Sequence, residues 1–185
     1  MVYILLGTGF EEIEALAPAD ILRRGGVDVA LTGIGGTTVS GSHGIAVLCD
    51  KAVEDVVLEE GDMVVLPGGL GGVASIEGSE AAMALARQAG ETEEMYLAAI
   101  CAAPALLARV GLIGPGDDAV CYPGMEDEMI RAGVTAHEDA SVVLDGKVIT
   151  GRAPGSAIDF GLVLLETLKG TDAAEQVQAD MHYGE

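Results

Sequence analysis

The sequence predicts an α/β protein, a mostly parallel β-sheet with helices on both faces. Three observations carry that prediction. Short apolar runs recur at residues 2–6, 27–32, 62–67 and 95–100, each closed by glycine, proline or a turn. Stretches of helical spacing alternate with these runs. Half of the 185 residues are hydrophobic while only 3% are aromatic, and glycine and alanine are abundant, which suits closely stacked layers. Short runs that are apolar throughout are strands buried on both faces, and strands alternating with helices make a covered parallel sheet.

Each element follows in order. Residues 2–6 form a strand that stops at Gly7. Within residues 10–24, Ile13, Leu16, Ala17, Ile21 and Leu22 recur at helical spacing, and Gly25-Gly26 ends that helix. Residues 27–32 are a second strand. Residues 37–47 alternate weakly and are rich in glycine and serine, so they predict a short hairpin beside the main sheet. Residues 62–67 are the clearest buried strand, followed by Gly68-Gly69-Leu70-Gly71-Gly72, read as a turn. A helix spans 80–90, a strand 95–100, and a helix beginning at once spans 101–110. Residues 119–122 predict a short strand. Residues 141–150 read as strand, Asp145-Gly146 turn, strand. Residues 154–169 form an amphipathic helix and 171–181 a last one. No linker, repeat or low-complexity segment divides the chain, so one domain over 1–185 is expected.

Charge and composition exclude several functions. Thirty acidic residues against nine basic ones leave a net charge of −21. Such a surface repels phosphate backbones and anionic lipid, so neither nucleic acid nor membrane is an expected partner. No apolar run reaches the roughly 18 residues of a membrane span. The opening residues lack a basic segment and meet a glycine and two acids early, so a secretory leader is not expected. Three cysteines, Cys49, Cys101 and Cys121, are an odd number without a CxxC pair. Neither a disulfide framework nor a zinc site is expected, and a reduced, cytoplasmic setting follows.

In a parallel sheet, sites lie at the carboxyl ends of strands. Here those ends are residues 7–14, 66–72 and 100–104. Cys101 ends a strand and begins a helix, with the small Ala99 and Ala103 two residues to either side and Pro104 in the first turn. By itself this context fits a buried core cysteine and an elbow nucleophile equally well; a helix N-terminus would favour its thiolate. Glu14 stands one turn into the first helix. It is either an ordinary acid favoured by the helix dipole or a buried carboxyl whose raised pKa lets it exchange protons with a thiol or substrate. Gly68 and Gly69 allow close backbone approach, and the N–H groups of Gly69 and Ala102 are candidate oxyanion donors. The glycine run lacks the spacing and the Lys-Ser/Thr of a nucleotide loop. His137 and His182 read as surface residues and Cys49 and Cys121 as structural. His43 lies in the hairpin region, where a surface position competes with one overhanging the site.

Assembled, Gly9-Phe10-Glu11-Glu12-Ile13-Glu14, Val64-Val65-Leu66-Pro67-Gly68-Gly69, Ala98-Ala99-Ile100-Cys101-Ala102-Ala103-Pro104 and Gly151-Arg152-Ala153-Pro154-Gly155 resemble the ThiJ/PfpI superfamily, in its deglycase and glyoxalase III-like branch. Each motif is weak alone, and the four together are specific. The resemblance implies a flavodoxin-like three-layer α/β/α sandwich of the class I glutamine amidotransferase type. It also implies a homodimer without metal or cofactor. By position it makes Cys101 the nucleophile, Glu14 its carboxylic partner, and Gly69 and Ala102 the backbone donors, with His43, Tyr122 and Gly68 bordering the pocket. Two departures stand out. Tyr122 precedes Pro123 where close relatives carry a histidine, and Ala102 follows the cysteine where protease-type relatives carry one. A Cys-His peptidase dyad is therefore not expected. The implied activity is a cysteine-dependent glyoxalase or deglycase acting on a small aldehyde such as methylglyoxal or on its protein adducts. The alternative is a redox-sensing, chaperone-like protein that works through oxidation of Cys101.

Overall fold

The computed structural model describes residues 1–184. Its centre is a seven-stranded sheet. β1 (Val2–Leu6), β6 (Met63–Leu66) and β7 (Tyr96–Ile100) form the middle; β2 (Val29–Gly33) and β5 (Lys51–Ala52) extend one side, and β11 (Val148–Gly151) and β10 (Val142–Asp145) the other. Every pairing in this sheet is parallel except β10 with β11, the hairpin around Asp145-Gly146. All residues of β1 and β6 are buried, and all but Tyr96 of β7, which is why these segments read as unbroken apolar runs. β3 (Thr38–Ser40) and β4 (Ala46–Leu48) make the expected separate hairpin. β8 (Asp118–Ala119) pairs with β9 (Thr135–Ala136) in a second small sheet.

The helices are α1 (Glu12–Arg24), α2 (Leu70–Glu77), α3 (Glu80–Glu91), α4 (Ala103–Arg109), α5 (Glu126–Arg131), α6 (Ala157–Lys169) and α7 (Thr171–Asp180). From β1 the chain crosses through α1 to β2 on one side, whereas from β6 it crosses through α2 and α3 to β7 on the other. Right-handed crossovers running in opposite directions put their helices on opposite faces. α1 accordingly packs on α6, and α2 contacts α3 and α4. Gly161 lets α6 approach α1 closely, since a Cβ there would lie 3.0 Å from the Pro18 Cα. The reversal of strand order between β1 and β6 opens a crevice at their carboxyl ends, the place where such sheets bind ligands.

Several boundaries differ from expectation. The glycine run after β6 is not only a turn, because α2 begins at Leu70. α4 begins at Ala103 rather than Cys101, because Cys101 has a left-handed backbone. The strand expected over 119–122 stops at Ala119, and Tyr122 lies in a loop. α5, β5 and β9 are too short to show a period in the sequence. Among the described residues no helix is long and apolar enough to cross a membrane.

Candidate active site

Three strand ends converge as expected. After β7 the chain turns sharply at Cys101, whose φ of 65° is rare for a non-glycine residue and costs on the order of 1–3 kcal/mol. Its flanks hold it there. The Cys101 N–H donates to the Gly151 carbonyl at 2.9 Å, and the Cys101 carbonyl accepts from the Tyr122 N–H at 2.8 Å. The side chain faces a cavity of about 560 Å³ lined by Glu11, Leu70, Tyr122, Pro123, Met125 and Pro154, with Gly69, Ala102 and Gly124 contributing backbone.

Glu14 reaches the same place from α1 and is fully buried. Its Oε2 accepts a hydrogen bond from the Gly68 N–H at 2.8 Å, and its Oε1 has no hydrogen-bond partner. The other group the carboxyl meets is the Cys101 thiol. Gly68 is what lets the two approach. A Cβ at that position would lie 2.5 Å from Glu14 Oε2 and 2.7 Å from the Cys101 Cβ. Gly69, with a φ of 81°, tucks under the start of α1, where a Cβ would lie 2.5 Å from the Gly9 carbonyl oxygen. The start of α1 is fixed by the Glu11 N–H donating to the Gly68 carbonyl at 3.0 Å.

The electrostatics follow from this burial. Loss of water pushes the Glu14 carboxyl up to about 7, against the opposing hydrogen bonds from Cys101 and Gly68. Burial first, and then the adjacent Glu14, push the Cys101 thiol up to about 12; N–H groups of Gly69 and Ala102 pull the other way. Burial and the neighbouring carboxyl both work against the charge that the end of α4 favours. The N–H groups of Gly69 and Ala102 border the cavity beside Cys101 and favour charge on the sulfur.

Gly68 is buried between Glu14 and Cys101 instead of bordering the cavity, and His43 is a further correction, because it does not line the cavity either. Its Nδ1 lies 3.0 Å from Glu12 Oε2 and 3.4 Å from Glu11 Oε1, on the outer side of the first turn of α1. The carboxylates of Glu11 and Glu12 and the His43 ring form the metal-ligand combination found among the described residues, all within 4.8 Å. Both Glu12 oxygens are already engaged, Oε1 by the N–H groups of His43 and Ile45 and Oε2 by Ser42 Oγ and the His43 ring. Tyr122 lines the cavity and is 45% exposed, so it stands at the mouth, as the motif placed it. Cys49 and Cys121 are buried and unpaired, as expected of structural cysteines. Glu11, Leu70, Met125 and Pro154 were not singled out as lining residues. Only the packing of loops distant in sequence brings them together.

A match to the DJ-1/PfpI family model spans residues 1–167. The chain belongs to the DJ-1/PfpI family. It is 37% identical to the Drosophila melanogaster protein dj-1beta over 175 residues, 94% of this chain and 92% of that protein. It is 32% identical over 162 residues, 88% of this chain and 84% of the other, to a Caenorhabditis elegans protein named as a glutathione-independent glyoxalase, DJR-1.2. The crystal structure of Drosophila DJ-1beta superimposes with a TM-score of 0.92 at 34% identity, covering 100% of this chain and 98% of that one. The resemblance read from the four motifs therefore holds along the DJ-1/PfpI domain, and the fold is the expected sandwich.

Proposed function

We propose that this protein is a glyoxalase-type enzyme that converts small 2-oxoaldehydes such as methylglyoxal to 2-hydroxy acids, with Cys101 as nucleophile and Glu14 as proton carrier. One observation supports this reading most directly: a fully buried carboxyl, its proton affinity raised by loss of water, is packed beside a thiol that lines a cavity. A base poised near the working pH is the most effective one. The name of the C. elegans relative adds to it.

The reaction balances with these two groups and water. The Glu14 carboxylate takes the thiol proton as the sulfur bonds to the aldehyde carbon, and the proton passes to the aldehyde oxygen, leaving a hemithioacetal. The N–H groups of Gly69 and Ala102 steady the negative charge while it is on sulfur. The restored carboxylate then takes the hydrogen from carbon 1, giving an enediol, and returns it to carbon 2. A hydroxyl proton moves from the first oxygen to the second. The product is a thioester, and water releases the 2-hydroxy acid and the free thiol. No histidine is required, so Tyr122 in place of the family residue leaves this route open.

Lactate formed from methylglyoxal without glutathione is the test. The wild type should produce it, and Cys101→Ser and Glu14→Gln should each lose at least about 100-fold, the scale of a missing proton carrier. No lactate from the wild type, or full activity in either variant, overturns the reading.

A further inference from the structure

The cavity has an uneven charge distribution. Its wall is mostly apolar: Leu70, Tyr122, Pro123, Met125 and Pro154. Glu11 is the charged side chain on that wall, and no basic side chain lines it. Other groups near the cavity repeat the same sign. Glu14 sits beneath the thiol, and Glu126 Oε2 accepts from the Gly124 N–H at 2.7 Å at the opposite lip. The charged end of Glu11 is shared with the hairpin, where its Oε1 lies 3.4 Å from His43 Nδ1. Its Oε2 lies 3.1 Å from Ser42 Oγ, whose single proton is shared with Glu12 Oε2, and its backbone is tied to Gly68. His43 is the cationic candidate nearby, and it is held outside the cavity, mainly by Glu12. Arg152, two residues before Pro154, does not line the wall.

We infer that the cavity sorts its substrates by charge. It admits uncharged and cationic carbonyl compounds and turns away those bearing a carboxylate or phosphate, and Glu11 is the residue that sets this preference. A like charge brought within a few ångströms of a carboxylate in a partly desolvated cleft loses at least about tenfold in affinity. A cavity of about 560 Å³ also has far more room than a three-carbon aldehyde needs, so a neutral aromatic or branched 2-oxoaldehyde fits this wall better.

The inference deepens the glyoxalase reading and rests on it for the substrate class. Its test therefore avoids turnover. The alkylation of Cys101 by neutral iodoacetamide is compared with that by iodoacetate, which has a similar size and a negative charge, followed by intact mass. Cys101→Ser serves to subtract Cys49 and Cys121. The ratio of the two rates cancels any change in the reactivity of the sulfur itself. In low salt that ratio should exceed the ratio for a free thiol in solution at least about tenfold. Glu11→Gln should cut the excess at least threefold, while Glu175→Gln, an exposed change on α7 remote from the cavity, should leave it in place. A wild-type ratio equal to that of the free thiol overturns the proposal. So does an excess that survives Glu11→Gln, or one that falls as far with Glu175→Gln. If the sorting is present but no 2-oxoaldehyde is turned over, the glyoxalase reading fails and the charge filter stands.

Discussion

Glu12 and Glu14 stand two residues apart on the first turn of α1, both buried, and their acidities move in opposite directions. Burial pushes both up, yet Glu12 ends at about 2 and Glu14 at about 7. The difference lies in what each side of the turn meets. Glu12 faces the β3–β4 hairpin, where the N–H groups of His43 and Ile45 donate to it and the His43 ring nitrogen lies 3.0 Å away. Glu14 faces the ends of β6 and β7, where it receives one backbone N–H and meets a thiol. Glu14 lies deeper and has fewer donors, and depth and donor number together decide whether such a carboxyl is a structural anion or a proton carrier. One helical turn thus supplies an anchor for a loop on one side and an acid–base group on the other.

The comparison can be broken most severely at Gly68. Gly68→Ala places a methyl group between Glu14 and Cys101, so activity should fall at least about 100-fold, with a loss of stability of about 1–3 kcal/mol from overpacking. Paired methylglyoxal assays and urea unfolding would read both. Retention of full activity would mean that the two groups need not touch.

The next effect concerns stability and pH. Glu14 binds its proton more tightly folded than unfolded, so its contribution is fully present below about pH 4.5 and is lost as pH rises through 7. Glu14→Gln removes that loss. Relative to wild type it should gain on the order of 3 kcal/mol between pH 4.5 and pH 8, measured by urea unfolding. Glu12 carries the opposite sign. Its stabilisation is present above pH 4.5 and fades as pH falls towards 2. Glu12→Ala leaves the hairpin N–H groups without an acceptor and should cost about 1–3 kcal/mol at neutral pH, and less at pH 2, where the charge is partly lost but the acceptor is not. The smallest effect belongs to His43→Ala. Glu12 should then titrate higher, yet stay below an ordinary glutamate because the two backbone donors remain.

Much of the fold was legible because buried parallel strands are local signals. Residues 2–6, 62–67 and 95–100 became the three central strands. α2 was hidden because its start is glycine-rich, and α5 because six residues show no period. Cys101 and Glu14 were legible because strand ends converge whatever the loops do. The opposite fates of Glu12 and Glu14 were not. Both read as acids in a first helical turn, and the donors that separate them arrive from residues 31 and 33 positions away. Glu11 escaped for the same reason, since its place on the cavity wall depends on loops brought from distant parts of the chain.

The most direct measurement is the titration of the glutamate side-chain carbons by NMR, with Glu12→Gln and Glu14→Gln used to assign the two signals. The account predicts a midpoint near 7 for Glu14 and one near 2 for Glu12, with the Glu14 midpoint moving when Cys101 is replaced by serine. Midpoints for both residues near 4.5, the value of an ordinary glutamate, would contradict it.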